Sequence, residues 1–384
     1  MATMRTRSKR LYGAFGRASR ANAGRSHCSE PKMDDVEHSP AVTPDHILET
    51  GYGFWKSRAL FSAVELGVFT TLASGALDLE TLTARLGLHG RGARDFFDAL
   101  VALNFLHRDA TGRYGNGRDT DLYLDRGKPT YIGGLLQHLN ARHYQNWVSL
   151  TRALRSGAPQ SGALATGSYP ALYADKTAQE IFLNGMTAGS LLAARTLAMN
   201  FPWDGYKTII DIGTAQGCVP IEIARVHDHL TGGGFDLPEV EPVFAGYVHK
   251  QALGERLRFY PGDFFADPLP AADVLVMGRI LHNWDISTKK MLLKKAYDAL
   301  PYGGVLIVYD PLIDDERRVC AHGLLSSLNM LIETAGGFEY TGAQCTAWMR
   351  EAGFHETRLE PLGDVHTAVI GIKGTHCSGN ALRE

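Results

Sequence analysis

Cysteine is scarce in this chain of 384 residues. The five present (Cys28, Cys218, Cys320, Cys345 and Cys377) are odd in number and widely spaced. That excludes a disulfide scaffold, and with no C-x-x-C pair or Cys/His cluster the sequence offers no metal-ligand spacing. Long apolar runs are also missing. Nothing approaches the ~20 residues that cross a bilayer, and there is no secretory apolar segment, so the expectation is no membrane partner and a reducing, cytoplasmic setting. Neither sign of charge dominates, with 39 basic and 41 acidic residues. The distribution is uneven, however. Residues 1–33 hold eight basic residues and only Glu30, a net of +7, which leaves the body at −9. An acidic body argues against a general nucleic-acid binder, which needs a concentrated basic face. The basic segment reads as a disordered tail over 1–43. A transit peptide or an upstream start codon would account for the same composition.

What is present is ordinary globular material, 45% hydrophobic and 21% charged, in a length suited to about two domains. Residues 44–125 read as short helices. One runs into Leu66-Gly67, one covers Leu79 to Leu86 before a glycine-containing break at 87–92, and one extends from about Ala93 to Leu106. A hairpin over His107–Tyr114 turns at Thr111-Gly112. Helix, turn, helix, hairpin is a winged-helix order. The third helix carries Arg91 and Arg94, but Asp95 and Asp98 answer them, which favours packing and dimerisation over DNA reading. Residues 126–200 read as a helical connector with Trp147, Leu150, Leu154, Phe182, Met186, Leu191 and Leu192 as buried positions. From Tyr206 strands alternate with helices: 208–212, 234–236, 257–259, 274–277, 304–309 and 367–372 are the strands. That alternation predicts a parallel, doubly wound sheet in an α/β domain over 201–374, followed by a flexible terminus at 375–384.

The first strand ends in Asp211-Ile-Gly213-Thr-Ala-Gln-Gly217. A dinucleotide fingerprint requires G-x-G-x-x-G, so a nicotinamide cofactor fails at the motif. Two glycines before a helix N-terminus suit a ligand without pyrophosphate, such as S-adenosylmethionine; a structural glycine turn explains the same residues. Asp236 ends the next strand, 25 residues after Asp211, near the spacing of an acid that grips ribose hydroxyls. Asp263 follows at the third strand end, placed to accept the adenine amino group, with Phe264 beside the ring. Just past the fourth strand stands His282. A lone histidine is commonly structural, but at this ligand-binding edge an imidazole can take a proton from a hydroxyl at neutral pH. Asp310, at the end of the fifth strand, is placed to hold its tautomer. No acidic or histidine cluster resembles a magnesium site, so no metal is expected.

These segments resemble the small-molecule O-methyltransferases of the caffeate/acetylserotonin (hydroxyindole) type, in their bacterial natural-product branch. The resemblance rests on Asp211-x-Gly213-x-x-x-Gly217, Asp236-Leu237-Pro238, Gly262-Asp263-Phe264-Phe265, Arg279-Ile280-Leu281-His282-Asn283-Trp284 and Leu300-Pro301-x-Gly303-Gly304, in order across residues 50–373. It implies a C-terminal Rossmann-like class I methyltransferase domain behind an N-terminal all-α winged-helix dimerisation domain. It also implies a homodimer, S-adenosylmethionine as cofactor and a small-molecule substrate of secondary metabolism. Carried over residue by residue, His282 is the general base, flanked by Asp310 and Glu339. Asp211, Gly213, Gly217, Asp236, Leu237, Asp263, Phe264, Arg279 and Trp284 line the cofactor, and Phe182, Met186, Met330 and Thr334 the acceptor. Three departures stand out. Thr214 and Ala215 occupy a turn that often holds three glycines, which narrows the methionine pocket. Asp310 is a methylene shorter than the usual Glu, and Asn283 follows the histidine where Asp is commoner. The implied reaction is methyl transfer to a hydroxyl, most readily a phenol. N- or C-methylation, other chemistry on the same scaffold, and a metabolite-sensing winged-helix regulator are the alternatives.

Overall fold

The computed structural model describes residues 42–161 and 169–374. The tail expected at 1–43 (its last two residues excepted) and the terminus expected at 375–384 lie outside them, as do Cys28 and Cys377. The chain divides into two compact units, Met1–Gly51 and Tyr52–Glu384. Of the first, residues 42–51 are described, and they include the start of helix α1, Asp45–Leu66. The rest concerns the second unit.

After α1 come α2, Leu79–Arg85, and α3, Gly90–Ala102, then an antiparallel hairpin of β1, Leu106–Arg108, and β2, Tyr114–Asn116. This is the winged-helix order. Local chemistry sets its boundaries: the Asp78 carboxylate accepts from Thr81 N and caps α2, and His89 caps α3. The third helix therefore begins within the expected glycine break and ends at Ala102, four residues early, where Asn104 turns left-handed at φ 62°. Its buried face is Ala93, Phe97 and Leu100, which join Val64, Val68, Phe69 and Tyr114 in one core, while Leu103 is only half-buried. Asp98 answers Arg108 at 2.8 Å and accepts from the Tyr114 hydroxyl, so it braces the wing rather than Arg91 or Arg94.

The connector holds α4, Gly133–His138, running through a π-helical turn over Leu139–His143, then α5, Leu150–Ser156, and the long α6, Lys176–Asn200. Leu191 is buried as expected, but Leu154 is 59% and Leu192 42% exposed. Each lies on the helix side turned away from the apolar stripe.

The catalytic-type sheet has seven strands in the order β5-β4-β3-β6-β7-β9-β8. They are β3, Thr208–Ile212; β4, Thr231–Asp236; β5, Leu257–Pro261; β6, Val274–Gly278; β7, Val305–Asp310; β8, Glu356–Pro361; and β9, Thr367–Ile372. Strands β3 to β7 run parallel, but β9 pairs antiparallel with β7 and β8 antiparallel with β9. The all-parallel expectation is corrected at this edge. The strand β8 escaped notice because its sequence, ETRLEP, carries one large apolar residue. Helices cover both faces: α6 and α7, Cys218–Val226, pack on Ile209, Val274, Val276 and Ile307. The opposite face, Ile210, Leu275, Met277, Leu306 and Val308, takes α9, Ile286–Ala299, and α11, Gly342–Ala352; between them in the chain lie α8, Glu241–Lys250, and α10, Ala321–Glu333. Alternate strand residues thus bury to alternate sides.

Strand β4 begins three residues earlier than its hydrophobicity suggests, because Gly232 and Gly233 adopt φ 141° and 149°. A Cβ on either would stand 1.8 Å from a neighbouring strand's carbonyl oxygen, Ile209 O or Arg258 O. Only glycine lets the three strands close there. Gly233→Ala is expected to destabilise the folded protein by about 3 kcal/mol or more, read by denaturant unfolding, whereas Gly246→Ala, in open space on α8, should cost nothing.

Candidate active site

The sheet order reverses between β3 and β6, and ligands of open α/β sheets bind in the crevice at such a point, beyond the carboxyl ends of the strands. Those ends carry Asp211 and Gly213, Asp236, Asp263, Arg279 with His282, and Asp310. The topology brings all the strand-end residues singled out in the sequence to one edge.

Gly213 turns at φ 71°, and a Cβ there would meet Ile280 Cδ1 at 2.3 Å. Gly217 caps α7 at φ 87°. Between them Ala215 is left-handed at φ 51°, and its N–H donates to Asp236 Oδ2 at 2.8 Å; Leu237 N donates to Oδ1 at 2.8 Å. Asp236 thus clasps the glycine turn, and burial pushes its carboxyl up to about 6 against those two donors. Asp211 is driven to about 8 by burial, with the Asp236 charge adding to it. Thr214 does not narrow the crevice: its side chain fills the space over the backbone of Gly234. Asp263 Oδ1 accepts from Phe265 N, fixing the loop that carries Phe264. Phe264 and Phe265 meet Trp284 edge-on at 6.0 and 4.8 Å between ring centres, and Tyr169 lies 6.3 Å from the same indole.

Arg279 follows β6 at φ 57°, its guanidinium against Gly189 of α6. Asn283 Nδ2 donates to Arg279 O at 3.0 Å and Ile280 O at 3.3 Å. An aspartate could make neither bond, so the Asn283 departure fastens this turn. Three buried groups here have no hydrogen-bond partner among the described residues: Arg279 Nε and Nη1 and Trp284 Nε1. Orphaned buried donors at a crevice imply a ligand with acceptors.

His282 is 4% exposed, on a 3₁₀ turn over Leu281–Asn283. Its Nδ1 lies 2.7 Å from Glu339 Oε1 and 3.7 Å from Asp310 Oδ1. The orienting contact therefore belongs to Glu339, not to Asp310, whose shorter side chain stops beyond hydrogen-bond range. Asp310 Oδ2 instead accepts from the Tyr340 hydroxyl at 2.5 Å, and Ser326 Oγ donates to Glu339 Oε1 at 2.7 Å. Nδ1 is then the protonated nitrogen and Nε2 keeps the lone pair. Burial alone lowers the imidazole, but the charges of Glu339 and Asp310 and the hydrogen bond outweigh it, so its pKa stands above the ordinary value. Burial raises Asp310 to about 6. Such a trio can accept a proton at Nε2 and spread the charge over two carboxylates. Sequence spacing showed no such cluster, yet these ligand atoms lie within 4.8 Å of one another; one nitrogen and two carboxylates, already engaged with Ser326 and Tyr340, are a poor match to the six-oxygen shell of a hard cation.

Of the acceptor-side candidates, Phe182 and Met186 lie one turn apart on α6, half-buried, with Phe182 edge-on to His138 at 5.6 Å. Met330 is buried on α10. Thr334 is otherwise engaged: its hydroxyl donates to Met330 O and accepts from Gly337 N. Several neighbours were given no role in the sequence reading, namely Tyr169, Phe265 (quoted there only as part of its motif), Ser326, Tyr340, His138, Arg142 and Glu333. Phe265 and Tyr340 adjoin residues already singled out; the others have no local signal. Glu333, 2% exposed, receives Arg142 Nε at 2.6 Å and Asn146 Nδ2 at 2.8 Å, tying α10 to the connector.

A doubly wound sheet with this edge defines a methyltransferase of the Rossmann-like kind. Residues 147–355 match the O-methyltransferase domain model and residues 48–126 the O-methyltransferase dimerisation domain. The chain is 41% identical to the tetracenomycin polyketide synthesis 8-O-methyl transferase TcmO of Streptomyces glaucescens, over 88% of this chain and 98% of that one. It is 36% identical to the N,N-dimethyltransferase OxyT of Streptomyces rimosus, over 87% and 97%. The crystal structure of human N-acetylserotonin methyltransferase in complex with SAM superposes with a TM-score of 0.80 at 28% identity, covering 88% of this chain and 99% of that one. The chain belongs to the S-adenosylmethionine-dependent O-methyltransferase family, and its cofactor is S-adenosylmethionine. No helix among the described residues is long and apolar enough to cross a membrane.

Removing Arg142 would leave Glu333 a buried carboxylate without its cation. Arg142→Ala is expected to cost about 3 kcal/mol of stability, and Arg142→Ala/Glu333→Gln to recover much of it; denaturant melts of both variants decide.

Proposed function

We propose that the protein methylates a hydroxyl, phenolic in character, on a small aromatic or polyketide-like metabolite, with His282 as general base. The observation that carries this reading is the buried imidazole held at Nδ1 by Glu339, at the ligand-binding edge of the sheet, with no hydrogen bond to Nε2 among the described residues. S-adenosylmethionine supplies an electrophilic methyl group when bound. Two features support it: Gly213 makes a left-handed turn against Ile280 that no side chain would fit, and Arg279 and Trp284, just past β6, carry buried donors without hydrogen-bond partners among the described residues. On this reading Asp236 and Leu237 hold the ribose, Asp263 and Phe264 the adenine, Gly213 and Gly217 the methionine end beside Asp211, and Arg279 and Trp284 flank it. Phe182, Met186 and Met330 border the acceptor, with Thr334 shaping the turn beside them.

His282 draws the proton from the acceptor hydroxyl as its oxygen becomes nucleophilic, and Glu339 and Asp310 stabilise the imidazolium. Holding that oxygen in line supplies most of the acceleration. No metal ion has a part in this scheme. Residues 44–125 serve dimerisation, 126–200 contribute to the acceptor pocket and 201–374 bind the cofactor. The exposed Phe54 and Trp55, beside Ala59, Leu66 and Phe96, are the apolar surface a second copy would cover in a homodimer. The OxyT likeness favours a second reading, methylation of an amine, for which mass spectrometry of the product is decisive.

His282→Ala should lower kcat by about 10²- to 10⁴-fold while S-adenosylhomocysteine still binds; full turnover would sink the general base. Calorimetric titration with S-adenosylhomocysteine should give micromolar binding that Asp236→Ala abolishes, and undiminished affinity in that variant would remove Asp236 from the cofactor site. A chelator should leave turnover unchanged.

A further inference from the structure

Behind the imidazole cluster lies a lysine that the reading so far leaves without a task. Lys289, on α9, is 0% exposed. Its ammonium lies 3.5 Å from the centre of the Phe338 ring and 5.5 Å from that of Tyr340, and it donates to the main-chain oxygen of Trp284. A fully buried ammonium needs compensation, and two aromatic faces and one carbonyl supply only part of it. The remainder is close by. Tyr340, whose ring faces the ammonium, gives its hydroxyl to Asp310 Oδ2 at 2.5 Å, and Asp310 Oδ1, 3.7 Å from His282 Nδ1, and Glu339 Oε2 are buried without hydrogen-bond partners among the described residues.

The charge count explains the arrangement. Two buried carboxylates and one imidazole carry −2 when the imidazole is neutral and −1 when it is protonated. With Lys289 charged, the protonated cluster is neutral. We propose that Lys289 is a positioning residue for this site: its buried ammonium, facing Asp310 across the Tyr340 ring and bonded to the main chain of Trp284, keeps Asp310 a carboxylate and so sets the pH at which the His282 cluster releases its proton.

The groups facing Lys289 are Asp285 from its own helix, Asp310 from β7, Glu339 and Tyr340 from the segment before α11, and Cys345 from α11. Those acting on His282 are Glu339, Asp310 and Arg279. Burial draws Lys289 down to about 8 against the pull of Asp310 and Glu339, which leaves it charged at neutral pH. Among the nearest acids, Asp310 feels Lys289 as a lowering influence. Without that cation the carboxylates hold a proton more firmly, so the cluster gives up its last proton at higher pH. The same ammonium fastens Trp284, two residues past His282, and so also braces the loop that carries the imidazole.

This inference rests on the general-base reading for its kinetic consequence only. The test is therefore double: NMR titration of the His282 ring, and the pH profile of kcat/KM, in the full chain and in Lys289→Met. The acid limb and the ring titration should both move up by about one pH unit, the order a single charge exerts in a buried site, giving roughly tenfold lower kcat/KM below both limbs. Lys289→Arg, if it keeps the charge over the rings, should return both toward their starting values. A folded Lys289→Met whose ring titration is unmoved overturns the proposal. A moved titration with an unmoved kinetic limb supports Lys289 and instead removes His282 as the base. Should Lys289→Met not fold, Lys289→Gln carries the test: it removes the charge and keeps a donor for the main-chain oxygen of Trp284. The same upward shift supports the proposal and an unchanged titration overturns it.

Discussion

Everything at this site depends on keeping an imidazole and two carboxylates together out of water. The 2.7 Å approach of His282 Nδ1 to Glu339 occurs where the three side chains are 4% exposed or less. Outside the protein that contact would be weak, because water competes for every lone pair. Inside, leaving either charge unmatched costs several kcal/mol, so the surroundings must hold each group in place. The parallel sheet does so. It delivers Asp310 from the end of β7 and His282 from the turn after β6, neighbouring strands in register, so their separation is set by the backbone. Glu339 comes from the other side, on the segment that leads from α10 to α11.

The same reliance on a rigid edge explains the cofactor side. Asp236 sits at the end of β4, next to β3, and takes N–H groups from the glycine turn and from its own loop. A carboxylate bonded at both oxygens to the backbone around it holds that turn in one conformation. The positive φ of Ala215 is tolerable for the same reason, since the bond from its N–H to Asp236 offsets a strain of about 1 kcal/mol. The donors of Arg279 and Trp284 are in the opposite condition, buried without a hydrogen-bond partner among the described residues.

Charge balance links the two halves of the site. Arg279 lies among histidines that burial and neighbouring cations keep neutral: His138 falls to about 2, His143 to about 4 and His366 to about 3. His282 is raised above its ordinary value because two carboxylates and a hydrogen bond outweigh its burial, whereas for His143 the single pull of Glu333 does not. One residue type is thus divided, by the position of Glu339 and Asp310, into imidazoles whose pKa is lowered and one whose pKa is raised.

Much of this was legible in the chain before any coordinates. The runs Thr208–Ile212 and Thr367–Ile372 are continuous and apolar, and short apolar runs between glycines have few options but buried strands. Strand-end acids and His282 follow from those strands, because the residue after a parallel strand lies at the ligand edge. What local pattern could not decide was set by contacts distant in sequence. Strand β8 forms because β9 offers it an edge, and the two glycines of β4 are strand residues only because neighbouring carbonyls crowd them. The choice of Glu339 over Asp310 is a matter of a methylene's reach across 57 residues of sequence, and the burial of Lys289 follows from the rings of Phe338 and Tyr340 closing over it. Its place on the stripe of Leu292, Leu293 and Ala296 hints at that burial, but only the folded chain shows what the lysine faces. Sequence determined most of the elements and which acids, with His282, stand just past the parallel strands. Tertiary structure decided which side chains meet, because distances of a few tenths of an ångström depend on how the whole sheet and its helices pack.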